Sequence, residues 1–209
     1  MFARPDTKNG RTPRAGAGNR ARLLFVALGL LLLGAPLAWA HDVKVRIDSQ
    51  PRSCRVEGDF KAPVPAAVAW RVLTDYDHIA EFVHSMVSSR SERDSSGALH
   101  VHQVASGGIF VFRRKVNVTL AITEVPGERI EFRDVLGKDF WHYHGQWRLE
   151  PDSAGVHVHY ELEAEPRMSV PRSIYRGMLK DAAGDLLNEV RGEMLKRAAN
   201  YPDPAPGRR

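Results

Sequence analysis

A single cysteine, Cys54, stands in the 209 residues. No internal disulfide can form, and stability has to come from packing. The longest apolar run, LLFVALGLLLL at 23–33, has 11 residues, short of the roughly 20 that cross a bilayer. An excess of one charge is missing from most of the chain. Six of the 30 bases and one of the 25 acids lie in residues 1–22, so the remainder carries 24 of each and the formal +5 falls to zero. Bulk charge therefore does not recommend nucleic acid or an anionic membrane as a partner. Neither a nucleophile elbow nor a phosphate-cradling glycine loop occurs.

The chain opens with a basic segment, the 11-residue run, Pro36 and then Ala38-Trp39-Ala40. That is the layout of a Sec-type signal peptide with cleavage after Ala40. It predicts export, with the periplasm as the expected location. An uncleaved signal anchored in the inner membrane is the alternative, and membrane contact after cleavage would be transient. Residues 41–53 read as a linker, 54–199 as one domain of ordinary size with a core of its own, and 200–209, with three prolines, as a disordered tail.

The segment 140–165 has the clearest pattern. Alternation puts Trp141, Tyr143, Gly145, Trp147 and Leu149 on one face and Phe140, His142, His144, Gln146 and Arg148 on the other. After a turn at 151–155, Val156, Val158, Tyr160 and Leu162 oppose His157, His159, Glu161 and Glu163 in the same way. Two antiparallel strands with one buried aromatic face and one wet ionic face are expected.

Before them, 54–61 suits a first strand. Pro65 opens a helix reaching Thr74, Asp75-Tyr76-Asp77 ends it, and 79–84 is a second short helix carrying Ile79, Phe82 and Val83. Strands follow at 86–91 and 98–106. Gly107-Gly108 then signals a two-residue hairpin, which sets Ser106 opposite Ile109. The strand 109–124 would bury Phe110, Phe112, Val116, Val118, Leu120 and Ile122, and 129–136 would bury Ile130, Phe132 and Leu136. From 171 to 199 the spacing turns helical, with Ile174, Met178, Ala182, Leu186, Val190 and Met194 in one stripe. Gly177, Gly184 and Gly192 interrupt that helix, to permit bending or close approach or by chance. The expected class is α+β: a helix-grip, with a curved antiparallel sheet of about seven strands wrapped round a long C-terminal helix and two short helices after the first strand.

Three local runs carry a resemblance: 60–76, from Phe60 through Ala62-Pro63-Val64 and Trp70 to Asp75-Tyr76; 81–86, from Glu81-Phe82 to Met86; and 145–151, Gly-Gln-Trp-Arg-Leu-Glu-Pro. With the element order, they resemble the START-like (SRPBCC) superfamily, in its polyketide cyclase/dehydrase and coenzyme Q-binding START-type branch, over residues 56–195. The resemblance implies a deep apolar cavity for lipids, quinones, polyketides or other hydrophobic molecules, with its entrance near the short helices and gated by the long helix. Only some members are enzymes, and no general catalytic motif exists to carry over. Export departs from the intracellular members and argues against ribosome-associated or respiratory-quinone roles.

The expected cavity wall is Phe110, Phe112, Arg114, Val118, Phe132, Asp134, Trp141, Tyr143, Trp147, Tyr160, Met178 and Leu186. Arg114 and Asp134 interrupt an apolar face, where an unpaired charge is costly. They are either polar anchors for a ligand head or residues turned outward by a bulge or placed at the rim. Asp134 is expected opposite Val118. Gln103 also points inward. The H-x-H pairs His100/His102, His142/His144 and His157/His159 offer metal-ligand spacing on strands. The second and third lie on neighbouring strands, with Gln146 expected near His159, His144 near Glu161 and His142 near Glu163; on a solvated face such residues pair with carboxylates equally well.

The function expected is an exported protein that holds a hydrophobic small molecule or lipid, without a cofactor and without catalytic residues. A cyclase or dehydratase using Tyr143, Tyr160, Arg114 or Asp134 is one alternative. A metal-binding module using His142, His144, His157 and His159 is another.

Overall fold

The computed structural model describes residues 43–50, 52–107, 114–168 and 171–201, and of Arg114 only the backbone. The expected signal peptide, Phe110, Phe112 and the tail beyond Tyr201 lie outside the described residues. Eight strands are described: β1 (Lys44–Ser49), β2 (Cys54–Ala62), β3 (Met86–Arg93), β4 (Leu99–Gly107), β5 (Arg114–Val125), β6 (Arg129–Asp134), β7 (Phe140–Asp152) and β8 (Gly155–Pro166). They form one antiparallel sheet in the order β1-β2-β8-β7-β6-β5-β4-β3. Helices α1 (Ala66–Leu73) and α2 (Ile79–Phe82), joined through a 3-10 turn at Tyr76–His78, follow β2, and α3 (Arg172–Ala199) closes the domain. This is the helix-grip fold. The eighth strand, β1, falls in the stretch read as a linker: its alternation is between exposed and half-buried, too faint a contrast to announce a strand.

The core follows from period-two patterning. In β2, Cys54, Val56, Phe60 and Ala62 are buried, and in β8, Val156, Val158, Tyr160, Leu162 and Ala164. The register sets Val56 beside Leu162 and Phe60 beside Val158, so the two strands present one continuous apolar surface.

Two glycines in this sheet are there for space. A Cβ on Gly58 would lie 2.3 Å from Leu187 Cδ1, so the missing side chain lets α3 seat directly on β2. A Cβ on Gly145 would lie 2.1 Å from the Glu161 carbonyl oxygen and 2.6 Å from Phe132 Cζ. Phe132 pairs with Gly145 across the β6–β7 ladder and lays its ring over it. By contrast, a Cβ on Gly177, Gly184 or Gly192 meets nothing within 4 Å, so these helical glycines do not serve close approach.

Several expectations are corrected. The β4–β5 register places Ser106 opposite Lys115 and Gly107 opposite Arg114, so the tight Gly107-Gly108 hairpin does not form and the connection is longer. The shift is even, which keeps Val118 and Leu120 on the inner face. Asp134 faces Leu120 rather than Val118. In the β7–β8 ladder His144 faces Glu163, His142 faces Glu165, Gln146 faces Glu161 and Arg148 faces His159, two positions from the expected pairing because the turn is tighter.

A bulge between Phe140 and His142 reverses the alternation upstream of Tyr143. Phe140 is buried, and Trp141 is 57% exposed with the Arg167 guanidinium 3.6 Å from its ring centroid. Leu136 is 49% exposed, in the turn beyond β6. In α3 the buried stripe is Ala183, Leu187, Val190 and Met194; Ile174 and Ala182 are exposed and Met178 half-buried.

The C-terminal half of α3 is held by ionic contacts as well as by packing. Arg197 Nη1 donates to Asp75 Oδ2 at 2.7 Å and its Nε to Glu193 Oε1 at 2.7 Å. His78 Nδ1 lies 2.5 Å from Asp75 Oδ1, and His84 Nδ1 lies 2.6 Å from Glu189 Oε1. Burial pushes the Asp75 carboxyl up, but the hydrogen bonds from His78 and Arg197 outweigh it and hold it below the usual carboxylate range. The hydrogen bond to Asp75 raises His78.

Two predictions follow from these contacts. Gly145→Ala, which forces Phe132 and the Glu161 backbone apart, destabilises by about 1–3 kcal/mol, whereas Gly177→Ala stabilises by up to about 1 kcal/mol; thermal denaturation of both reads the opposite signs. For His78 the raised folded pKa means its contribution is complete below the unfolded value of about 6.5 and is lost as pH rises through the folded one. For Asp75 the lowered pKa means its contribution is present above about 4 and is lost in acid. The deficit in melting temperature of His78→Ala relative to wild type is therefore larger at pH 5.5 than at pH 8.5. An equal deficit at both would contradict the pairing.

Candidate functional site

The inner face of the sheet and the short helices enclose a cavity of about 120 Å³. Its floor is aromatic and aliphatic: Val101 and Gln103 from β4, Leu120 and Ile122 from β5, Ile130 and Phe132 from β6, Tyr143 and Trp147 from β7, and Tyr160 from β8. Its roof is Leu73 from α1, Tyr76 from the 3-10 turn, Ile79 and Phe82 from α2, Val83 and Met86 beyond it, and Leu186 and Val190 from α3.

The rings are stacked in series. Trp147 and Tyr160 have centroids 4.5 Å apart, Phe132 lies 6.3 Å from Tyr160 and 6.1 Å from Tyr143, and Tyr143 packs on Phe140 at 4.8 Å. These are ordinary separations for offset or tilted aromatic pairs. The rings of the wall brace one another.

The polar groups on this wall are few. Tyr76 donates to Glu124 Oε1 at 2.6 Å, and burial followed by this hydrogen bond pushes its own ionisation far up. Gln103 Nε2 donates to Ser89 Oγ at 3.3 Å. Tyr143 and Tyr160 differ: among the described residues neither hydroxyl has a hydrogen-bond partner. Burial, with a smaller contribution from the Asp134 charge, pushes Tyr143 up to about 12, and burial with Tyr143 nearby raises Tyr160 well above its ordinary value. Both hydroxyls stay protonated at neutral pH, so they serve as hydrogen-bond donors and not as bases.

Of the expected wall residues, Phe132, Tyr143, Trp147, Tyr160 and Leu186 come together here. Val118 is buried at 7% exposure but is not on the cavity surface, and Met178 sits on the half-exposed first half of α3. Trp141 is turned outward by the bulge.

Asp134 is not a ligand anchor in this arrangement. Its Oδ1 accepts from the backbone N–H of Thr119 and of Leu136, both at 3.0 Å, and its Oδ2 from that of Gly137 at 3.1 Å. It stitches the end of β6 to β5 and closes the turn at Gly137, where φ is +60°.

The roof went largely unnamed in the expected wall. Ile79, Phe82 and Val83 were legible as apolar helix residues, and Tyr76 as a helix terminator. Only the packing of the 3-10 turn over β4–β6 makes them cavity surface.

On the outer face the histidines divide. His102 lies between Thr119 Oγ1 at 3.0 Å and Glu92 Oε1 at 2.8 Å, and His100 Nε2 lies 3.2 Å from Asp94 Oδ2. His144 reaches Glu163 at 3.9 Å, and His142 is exposed. His157 and His159 instead converge with Glu150, the three ligand-type atoms all lying within 4.8 Å of one another.

Residues 53–199 match the family described as polyketide cyclase / dehydrase and lipid transport. No curated protein matches the sequence. Among solved structures, the chain is similar to the Zhui aromatase/cyclase from Streptomyces sp. R1128, at 18% identity and a TM-score of 0.60, over 69% of this chain and 95% of that one. It is similar also to a STAR-related lipid transfer protein from Xanthomonas axonopodis, at 20% identity and a TM-score of 0.58, over 73% of this chain and 93% of that one. At these identities the likeness is one of fold. Taken with the family match across the whole domain, it is the same sheet, helix order and grip, and the chain belongs to the polyketide cyclase / dehydrase and lipid transport family of START-like proteins.

Proposed function

We propose that this protein is a carrier that binds a neutral, largely apolar molecule bearing a hydrogen-bond acceptor such as a carbonyl. The observation that carries the reading is the pair of unpartnered hydroxyls, Tyr143 and Tyr160, on an otherwise apolar wall. Apolar surface moved from water into the cavity contributes about 25 cal/mol per Å², and the two donors set orientation. Among the described lining residues none is an Asp, Glu, Lys, Arg or His. This favours an uncharged ligand, and it favours binding over acid–base chemistry, which needs a positioned proton acceptor. The names of the fold's neighbours, one a lipid transfer protein and one an aromatase/cyclase, are compatible with such a molecule.

The volume of about 120 Å³ is below the roughly 300–1,000 Å³ of sites for drug-sized ligands. A larger lipid or polyketide therefore requires the roof to move. The first half of α3 is the more exposed half, with residues 172–174, 176 and 177 at the surface; it is held by Arg172, which donates to the Ser49 and Gln50 carbonyls at 2.6 and 2.7 Å, and by Tyr175, whose hydroxyl donates to the Ala164 carbonyl at 3.5 Å.

A second reading uses the same hydroxyls. Two donors aimed at one carbonyl would polarise it for a cyclisation, and turnover of an aromatic polyketide precursor, lost in Tyr143→Phe, would mark an enzyme. We also propose export to the periplasm, from the basic, apolar and Ala-x-Ala sequence of residues 1–40; an intact mass that begins at His41 supports it, and an uncleaved chain in the membrane fraction overturns it.

The binding reading is tested with an isosteric pair, acetophenone and ethylbenzene, small enough for the resting cavity. Both bind wild type. Tyr143→Phe or Tyr160→Phe weakens acetophenone about 3- to 10-fold, the equivalent of one hydrogen bond of about 0.5–1.5 kcal/mol, and leaves ethylbenzene unchanged. Failure of wild type to bind either, or equal losses for both ligands, would sink the proposal.

A further inference from the structure

The outer face of the sheet holds a cluster that ligand binding does not use. His157 and His159 sit two apart on β8 and so project from one face. The ladders set Glu150 of β7 opposite His157, and Asp59 of β2 opposite His159. Four ligand-type side chains from three neighbouring strands thus share one patch.

The ligand atoms of Glu150, His157 and His159 lie within 4.8 Å of one another, and Asp59 approaches the cluster through His157. His159 Nε2 lies 3.2 Å from Glu150 Oε2, and His157 Nε2 lies 3.5 Å from Asp59 Oδ2. Ligand bonds of about 2.0–2.2 Å at a tetrahedral ion put neighbouring ligand atoms about 3.3–3.5 Å apart.

A second observation concerns the His159 nitrogen itself. His159 Nε2 is buried and has no hydrogen-bond partner: although Glu150 is close, it stands off the line that an N–H···O bond requires. The two imidazole rings are 4.0 Å apart, close enough for one cation to reach both. The nearby bases are accounted for. Lys61 Nζ is drawn to Asp152 Oδ2 at 3.7 Å, and Arg148 Nε is 3.5 Å from Glu150 Oε1, the oxygen that faces away from His159.

We propose that His157, His159 and Glu150, with Asp59 as the fourth ligand, form a binding site for a divalent ion of the Zn²⁺ or Cu²⁺ type. Two neutral imidazoles and two carboxylates balance its charge and match its preference for nitrogen and oxygen donors. The site clamps β2, β8 and β7 from the side opposite the cavity, and it does not depend on what the cavity binds.

The test is calorimetric titration of Zn²⁺ into chelator-treated, tag-free protein at pH 7.5, with Co²⁺ absorption as a probe of nitrogen ligation. The expected result is one equivalent bound, a raised melting temperature, and a loss of affinity of at least about tenfold in His157→Ala, His159→Ala and Glu150→Gln. His142→Ala and His144→Ala should leave binding unchanged. Ethylbenzene binding and circular dichroism check that each variant is folded. Absence of Zn²⁺ and Cu²⁺ binding by wild type, binding that survives in folded His157→Ala/His159→Ala, or an equal loss in the His142 and His144 variants would overturn the assignment.

Discussion

The seat of α3 on Gly58 is the contact on which the rest depends. With no Cβ at that position, Leu187 packs against the β2 backbone, and the buried Arg191, one turn further along α3, donates its Nε to the Lys61 carbonyl at 2.9 Å. The helix is thereby committed to the β1–β2 end of the sheet. The aromatic face of β5 to β8 is left to the short helices, to Leu186 and to Val190. A long helix laid across the middle of the sheet would have filled that space. Placed to one side, it leaves a cavity walled by rings that brace one another.

Two kinds of polar residue then separate by partner. Tyr76, Asp134 and Asp139 are spent on structure: a hydroxyl on Glu124, a carboxylate on three backbone N–H groups, and a carboxylate on the Asn117 N–H at 2.8 Å. Tyr143 and Tyr160 are not. Their hydroxyls open onto the cavity with no protein partner among the described residues, and an acceptor atom of a ligand there would complete them. On the opposite face the buried His159 Nε2 also lacks a hydrogen-bond partner, and it belongs to the proposed metal site.

How far the sequence reaches is visible in single residues. Period-two alternation identified Tyr143, Trp147, Tyr160, Leu120, Ile122, Ile130 and Phe132 as inward, and these are cavity wall because alternation is a property of the strand alone. It failed at Trp141, where one extra residue in β7 reverses the faces, since a bulge leaves no mark in composition. Pairing registers were out of reach wherever a turn had to be guessed: glycines at 107 and 108 resemble a hairpin that the ladder does not make. Asp134 was visible as an oddity, but its role lies in three N–H groups from two segments. The convergence of Glu150 with His157 rests on the β7–β8 register, in which Asp152 pairs with Gly155, and a turn placed at 151–155 conceals it.

The central claim is that the space beside α3 exists to be occupied. Native mass spectrometry of the protein purified from its own host without detergent, followed by solvent extraction, tests it most directly. The account predicts a stoichiometric adduct that is neutral, largely apolar and carbonyl-bearing. An empty protein that also takes up neither acetophenone nor ethylbenzene would contradict it.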